Sequence, residues 1–315
     1  MVREDISEKK EIKMSRKKQT NWIALMGKIS HSAAGIKYIP TTIEDGPNKG
    51  QLAVCLAKSN YDFENGSVSF TVGLKDQANQ VQIGFNHGTG SEVYAGISPG
   101  VASYSITLWA NNKWEPLASA GFGERPLIDE EIAVEVRVNG SRINLYINHI
   151  LVCTAYYKIG PCQVTLLMGG PKEMLIREFS VRPQKPTAFI VMQFTDEFNA
   201  LYDEVIRPTC EKYGLSCIRA DDIYSSGLIL DDIVKSIQEC FVIIADITPN
   251  NLNVFYEVGY AHGMGKATIL LSDKKRDKLP FDISGFRTLF YDNTIGGKSA
   301  IEDRLSKHLK SITNK

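Results

Sequence analysis

The sequence predicts a two-domain protein, an N-terminal all-β sandwich followed by a C-terminal α/β domain built on a flavodoxin-like parallel sheet. Three observations carry that reading. Residues 21–182 alternate apolar and polar side chains in short runs separated by turn signals, with no helical pattern between them; strands with one buried face read this way. Residues 188–315 change period, and short apolar runs alternate with amphipathic segments of helical spacing, as expected where helices cover both faces of a parallel sheet. Between the two lies a proline-bearing linker, 183–187 (PQKPT), in a chain of 315 residues that is long enough for two cores.

In the first domain, alternation marks strands at 67–74, 80–85, 103–109, 132–138 and 142–147. Asn65-Gly66, Asn139-Gly140, Gly160-Pro161 and Gly169-Gly170-Pro171 punctuate them, and Asn139-Gly140-Ser141 reads as a hairpin connection. In the second domain, 188–193 (AFIVMQ) is a strand buried on both faces, and 197–213 a helix with Pro208 as a kink. Strand 215–219, amphipathic helix 228–240, strand 241–246, helix 253–264, strand 267–271, strand 288–291 and helix 299–312 complete it.

Composition limits the function classes. Lysine plus arginine equals aspartate plus glutamate at 36 each, so no global field favours nucleic acid or an anionic membrane. No apolar run is long enough to span a bilayer. The first residues are charged rather than apolar, and 1–20 reads as a charged, flexible tail. The six cysteines form no C-x-x-C pair or metal-ligand spacing, so a reducing, cytoplasmic setting without metal or bound cofactor is expected.

The segment 253–266 (NVFYEVGYAHGMGK) concentrates the chemistry. It follows a strand that ends in Asp246, so its helix starts at the carboxyl edge of the sheet, where open α/β sheets place ligands. Glu257 lies between Tyr256 and Tyr260 and shares a helical face with Asn253. Phe194 follows the first strand, Asp221 and Asp222 follow the second, and all are candidate substrate contacts. Gly259 and Gly263 are expected to let the helix approach the sheet, and Gly265 to end it in a left-handed conformation. Loop 247–252 and segment 272–284 are rich in turn formers or charge, which suggests mobility.

Two resemblances sharpen this. The run 132–155 (IAVEVRVNGSRINLYINHILVCTA) resembles the concanavalin-like and laminin-G-like jelly rolls. That resemblance implies a sensing or assembly domain, with a glycan or small molecule as its signal. The α/β half resembles the nucleoside 2-deoxyribosyltransferase and Toll/interleukin-1 receptor (TIR) superfamily in FIVMQF, the Asp246 strand end, NVFYEVGYAHGMGK and the following ILL, in order and spacing. The resemblance implies that Glu257 attacks or stabilises an anomeric carbon as an N-glycosidic bond breaks, and that Asp246 holds the sugar.

The leading expectation is an NAD+ glycohydrolase of the bacterial antiphage TIR type, with NAD+ as substrate and activity controlled by a ligand or by homo-oligomerisation. The alternatives are a deoxyribosyltransferase-like enzyme and a non-enzymatic glycan- or nucleotide-binding scaffold. One departure stands out: Phe255-Tyr256 occupies the place where many NAD-cleaving TIR domains carry tryptophan.

Overall fold

The structure, a computed structural model, describes residues 21–98, 100, 102–124, 126, 128–222, 228–276 and 278–313. The charged tail expected at 1–20 lies outside the described residues.

The first half is a sandwich of two antiparallel sheets. Its strands are β1 (Trp22–Met26), β2 (Lys28–Ser32), β3 (Gly35–Ile39), β4 (Cys55–Phe63), β5 (Gly66–Gly73), β6 (Gln80–Phe85) and β7 (Ser91–Ile97). They continue with β8 (Ala102–Ala110), β9 (Lys113–Phe122), β10 (Glu131–Asn139), β11 (Arg142–Ile147), β12 (Ile150–Tyr156), β13 (Cys162–Gly169) and β14 (Met174–Pro183). One seven-stranded sheet runs β1-β4-β13-β6-β7-β8-β9 and the other β12-β11-β10-β5-β14-β3-β2. Consecutive strands therefore switch sheets repeatedly, as in a jelly roll. Alternate residues meet in the core: Val81, Ile83 and Phe85 from one sheet, Val134, Val136 and Leu145 from the other. The hairpin expected at Asn139-Gly140 is present, with Asn139 opposite Arg142 and Gly140 at φ +59°.

Several strands escape the alternation pattern, each for a physical reason. Strands β1 and β2 run along an edge, where most of their residues are exposed. Strand β7 is buried on both faces over its second half, and β9 carries a proline and has no fully buried residue.

The second half is a five-stranded parallel sheet of β15 (Thr187–Val191), β16 (Ser216–Arg219), β17 (Val242–Asp246), β18 (Thr268–Asp273) and β19 (Thr288–Tyr291), in the order β16-β15-β17-β18-β19. On one face lie α1 (Asp196–Leu201), α2 (Arg207–Lys212) and, at the end of the chain, α6 (Ile295–Thr313), joined through a core that includes Phe198, Ile206, Cys210 and Leu305. The other face is covered by α3 (Ile229–Glu239) and α4 (Leu252–Gly263), whose Ile237, Val254 and Val258 pack on Phe189 and Ile243. A short α5 (Phe281–Ser284) precedes β19. Pro208 does not break its helix. The chain takes a π-helical turn over Tyr202–Ile206 just before it, and Pro208 falls in the first turn of α2, where its missing N–H costs least.

The linker is short, since β14 runs to Pro183 and β15 begins at Thr187. The halves touch through the β10–β11 hairpin and β12. Arg142 pairs with Glu239 at 3.2 Å, and Tyr156 donates to Gln238 Oε1 at 3.2 Å. A β-carbon on Gly140 would sit 2.1 Å from the Cys240 carbonyl oxygen, so glycine is needed for this approach as well as for the turn. Among the described residues, no helix is long and apolar enough to cross a membrane.

Candidate active site at the carboxyl edge of the parallel sheet

In this strand order the chain reverses direction across the sheet between β15 and β17. The loops leaving the two strands diverge there, and a crevice opens at their carboxyl ends. A cleft of about 1120 Å³ occupies this place, lined by the end of β15 and the residues after it from Ile190 to Phe194, by Ala220 and Asp221 after β16, by the start of α3, and by Asn250 to Val254, Tyr256 and Glu257.

Glu257 is set in the cleft by its helix. Asn251 caps α4, its side chain accepting from the Asn253 N–H at 3.0 Å. Val254, Val258 and Ala261 face the sheet and fix the rotation of the helix. Asn253 and Glu257, one turn apart, then both line the cleft. Glu257 is only 9% exposed, and burial pushes its carboxyl up to about 7. A carboxyl group that titrates near neutrality in a cleft can be a charge stabiliser, nucleophile or general base.

The surroundings suit a nucleotide. Phe194 and Tyr256 both line the cleft and leave aromatic surface exposed, which can stack a flat ring. The Arg219 guanidinium lies over the Phe194 ring, 5.0 Å from its centroid. Arg219 is itself buried, bonded to Asp221 at 2.5 and 2.9 Å and to Asn199 at 3.0 Å. The N-terminus of α4 opens onto the cleft beside Asn250 and Asn251, a place where backbone N–H groups favour a phosphate.

Three of the expected substrate contacts fall elsewhere. Asp246 is 1% exposed and shares its face of β17 with Val242 and Ile244, which belong to the α1–α2–α6 side. Its Oδ1 accepts from the Thr248 N–H at 2.9 Å and its Oδ2 from the Tyr291 hydroxyl at 2.8 Å. Burial raises this carboxyl to about 6 despite those bonds. It sits across the sheet from Glu257 and holds the loop after β17. Tyr260 points the other way along α4, its hydroxyl accepting from Gln238 Nε2 at 2.8 Å. Asp222 accepts from the Arg219 N–H at 3.1 Å and closes the turn after β16, while Asp221 lines the cleft.

The glycines of α4 also differ from expectation. Gly259 and Gly263 lie on the exposed side, with nothing within 4 Å of an added β-carbon, so close packing on the sheet does not explain them. Gly265 does adopt the left-handed conformation, at φ +65°. His262 stacks on Phe286 with ring centroids 4.1 Å apart.

Two features of the site are not visible in the alternation of the sequence. Ile229 and Leu230 open α3 with apolar side chains on the cleft wall. Arg276, 30 residues from Asp246 along the chain, donates to the carbonyls of Ile247 and Thr248, the latter at 2.7 Å, and to Asn250 Oδ1 at 2.6 Å. The loop expected to be mobile is thus pinned at three acceptors. Among the described residues, no group of three or more histidine, cysteine, aspartate or glutamate side chains could hold a metal ion.

No protein-family model matches the chain. No curated protein matches it. Among solved structures, a carbohydrate-binding module from Bacillus subtilis covers 50% of this chain and 92% of its own, at 10% identity and a TM-score of 0.41. The Bacillus licheniformis β-glucanase covers 51% and 92%, at 12% identity and a TM-score of 0.36. A Bacillus subtilis protein of unknown function with a galectin-like fold covers 51% and 88%, at 9% identity and a TM-score of 0.38. These likenesses are to the sandwich half, and at such values they carry no functional argument.

Proposed function

We propose that the α/β half cleaves the N-glycosidic bond between nicotinamide and ribose in NAD+. The observation that carries this reading is Glu257, a buried carboxyl group raised to about 7 by burial alone, in a cleft that offers aromatic faces and a helix N-terminus. Breaking the C1′–N1 bond sends its electron pair to the pyridinium nitrogen, so nicotinamide leaves neutral and needs no general acid. Positive charge builds on the ribose, and the buried Glu257 carboxylate stabilises it. Water then adds to C1′ and loses a proton, giving ADP-ribose. The cationic substrate itself favours the ionised form of Glu257 when bound.

The placement of Asp246 weighs between the enzyme readings. A purine leaving group must be protonated, which calls for a second carboxyl group in the cleft. Asp246 is across the sheet and bonded to Tyr291 and Thr248, and Asp221 is tied to Arg219. One available carboxylate favours NAD+ cleavage over base exchange. The likeness of 253–266 to the TIR and deoxyribosyltransferase segment agrees with the role given to Glu257.

The test is NAD+ turnover by the purified full-length protein, beside a deoxynucleoside base-exchange assay and the Glu257→Gln variant. Nicotinamide release by the wild type and its loss in the variant are expected. Base exchange without nicotinamide release would favour the transferase, and silence in both assays at high protein concentration would favour a binding scaffold.

A further inference from the structure

The seven-stranded sheet that ends in β9 has a second face, turned away from the sandwich core. Along β6, β7 and β8 the core takes Val81, Ile83, Val93, Ala95, Ile106 and Leu108, so the alternate residues project outward. An outward sheet face is ordinarily a solvated polar surface. Here it forms a cleft of about 620 Å³ whose walls include Gln82, Glu92, Tyr94, Thr107, Trp109 and Trp114. Tyr94, Gln82 and Ser105 are buried although they lie on the outward face.

The aromatic wall is built by local geometry. Asn111 and Asn112 both take positive φ, at 52° and 58°, which makes the two-residue turn that matches the twist of a hairpin. That turn sets Trp109 opposite Trp114. Their ring centroids lie 5.0 Å apart, and Trp114 meets Tyr94 at 5.4 Å. A β-carbon on Gly84 would lie 2.6 Å from the Tyr94 ring, so only glycine lets that ring lie across β6.

Among the described residues, the cleft wall contains Glu92 and His87 but no lysine or arginine. Glu92 is fixed by three donors: Tyr94 Oη at 2.5 Å and His87 Nδ1 at 3.2 Å on Oε2, and the Gly88 N–H at 3.0 Å on Oε1. Burial would raise its pKa, but the bonds from Tyr94, Gly88 and His87 outweigh it and hold the carboxyl below its ordinary value.

These features select a ligand class. A phosphate or nucleotide would meet no cation and one carboxylate. A quaternary ammonium needs facing rings with a gap between them, whereas here Trp114 touches both Trp109 and Tyr94. A single exposed ring face adds little to cation binding. What remains is a flat, half-exposed indole, Trp114 at 50%, beside amide, hydroxyl and carboxylate groups. That combination matches a ring with apolar C–H faces and a rim of hydroxyls. Glycoside hydrolysis needs two carboxyl groups across the scissile bond, and this cleft has one.

We propose that the outward face of this sheet binds a neutral saccharide without cleaving it, one sugar ring stacked on Trp114 and its hydroxyls bonded by Gln82, Thr107 and Glu92. The site stands apart from the chemistry of Glu257.

The experiment titrates the full-length protein with cello-, laminari-, manno- and chito-tetraose, read by calorimetry and tryptophan fluorescence, with choline and AMP as controls. At least one saccharide should bind and change the fluorescence, and Trp114→Ala should weaken it by about tenfold, the worth of one stacked ring. Thr107→Val, a smaller change, should weaken it too. Glu257→Gln should bind the saccharide as the wild type does, so failure of the NAD+ reading leaves this result intact. Absence of binding by all four saccharides in the millimolar range, binding of choline or AMP alone, or release of new reducing ends would overturn the proposal.

Discussion

Tyr291 donates a 2.8 Å hydrogen bond to Oδ2 of Asp246 on the face of the sheet opposite Glu257. This contact decides what the strand-end aspartate does. In a βα loop, a buried carboxylate that accepts from the N–H two residues on shapes the backbone that follows it. Thr248 provides that N–H, and its hydroxyl in turn accepts from the Asp273 N–H at 2.8 Å, tying β17 to the end of β18.

Tyr291→Phe should therefore destabilise the fold by about 1–3 kcal/mol, because it leaves a buried acceptor unsatisfied. The loss should be larger above pH 6, where Asp246, raised to about 6 by burial, is ionised. Chemical denaturation at pH 5 and pH 8 measures it, with the KM for NAD+ expected to stay unchanged. A raised KM in a variant of normal stability would return Asp246 to the substrate.

Glu257→Gln should abolish NAD+ cleavage, with a loss of about 2.7–4 kcal/mol in transition-state stabilisation, the usual scale for a removed electrostatic group. In the wild type, kcat/KM should rise with pH through about 7 as the free carboxyl ionises. The kcat profile should rise at lower pH, because the bound pyridinium favours the charged form. The same shift has a stability consequence. Burial raises the Glu257 pKa from 4.5 to about 7, so the folded state binds more protons than the unfolded state across that window. Its contribution to stability is present below pH 4.5 and lost as pH rises through 7. The glutamine variant should gain Tm relative to wild type at pH 8 and not at pH 4.5. Equal Tm differences at both pH values would mean that Glu257 is not desolvated.

Arg276 should act as a positioning residue for the loop before α4. Its guanidinium meets Ile247, Thr248 and Asn250, and Asn250 and Asn251 belong to the cleft wall. Arg276→Ala should lower kcat/KM by about tenfold to a hundredfold through misplacement of the helix start, and amide exchange over 248–252 should quicken. Lysine should not rescue it, since an ammonium group cannot reproduce a planar fork across several acceptors. Unaltered exchange with reduced activity would argue that Arg276 touches the substrate directly.

The parts of this architecture that the sequence reveals are those governed by periodicity. The change from alternation to continuous apolar runs near Thr187 separates the sheets, and the capped, one-faced helix around Glu257 is legible because Val254, Val258 and Ala261 repeat at helical spacing. What periodicity hides is which face of a doubly buried strand a polar end residue takes. Asp246 ends an apolar run and reads as a cleft residue, yet its parity with Val242 and Ile244 sends it to the other layer. Arg276 leaves no local pattern because its partners are far along the chain. The aromatic wall of the sandwich depends on Trp109 facing Trp114 across a turn whose two asparagines require left-handed backbone, and β9 lacks the alternation that would have revealed the strand.

The mouth of the Glu257 cleft is more apolar than a solvated surface requires. Leu228 is 72% exposed, Ile229 74% and Leu252 83%, and Ile229 and Leu252 belong to the cleft wall. Exposed apolar side chains at the starts of α3 and α4 suit contact with a second copy of the chain. Association would dry the cleft and strengthen the interaction between Glu257 and a developing cation. Specific activity should then rise with protein concentration, in step with light scattering. Leu228 is the side chain to change, because it does not line the cleft, and it occupies the cap position of α3, where serine is favoured. Leu228→Ser should keep or improve stability while flattening the dependence of activity on concentration. Constant specific activity from a monomer, in wild type and variant alike, would sink the assembly reading and leave the role of Glu257 untouched, since that role rests on the α/β cleft alone.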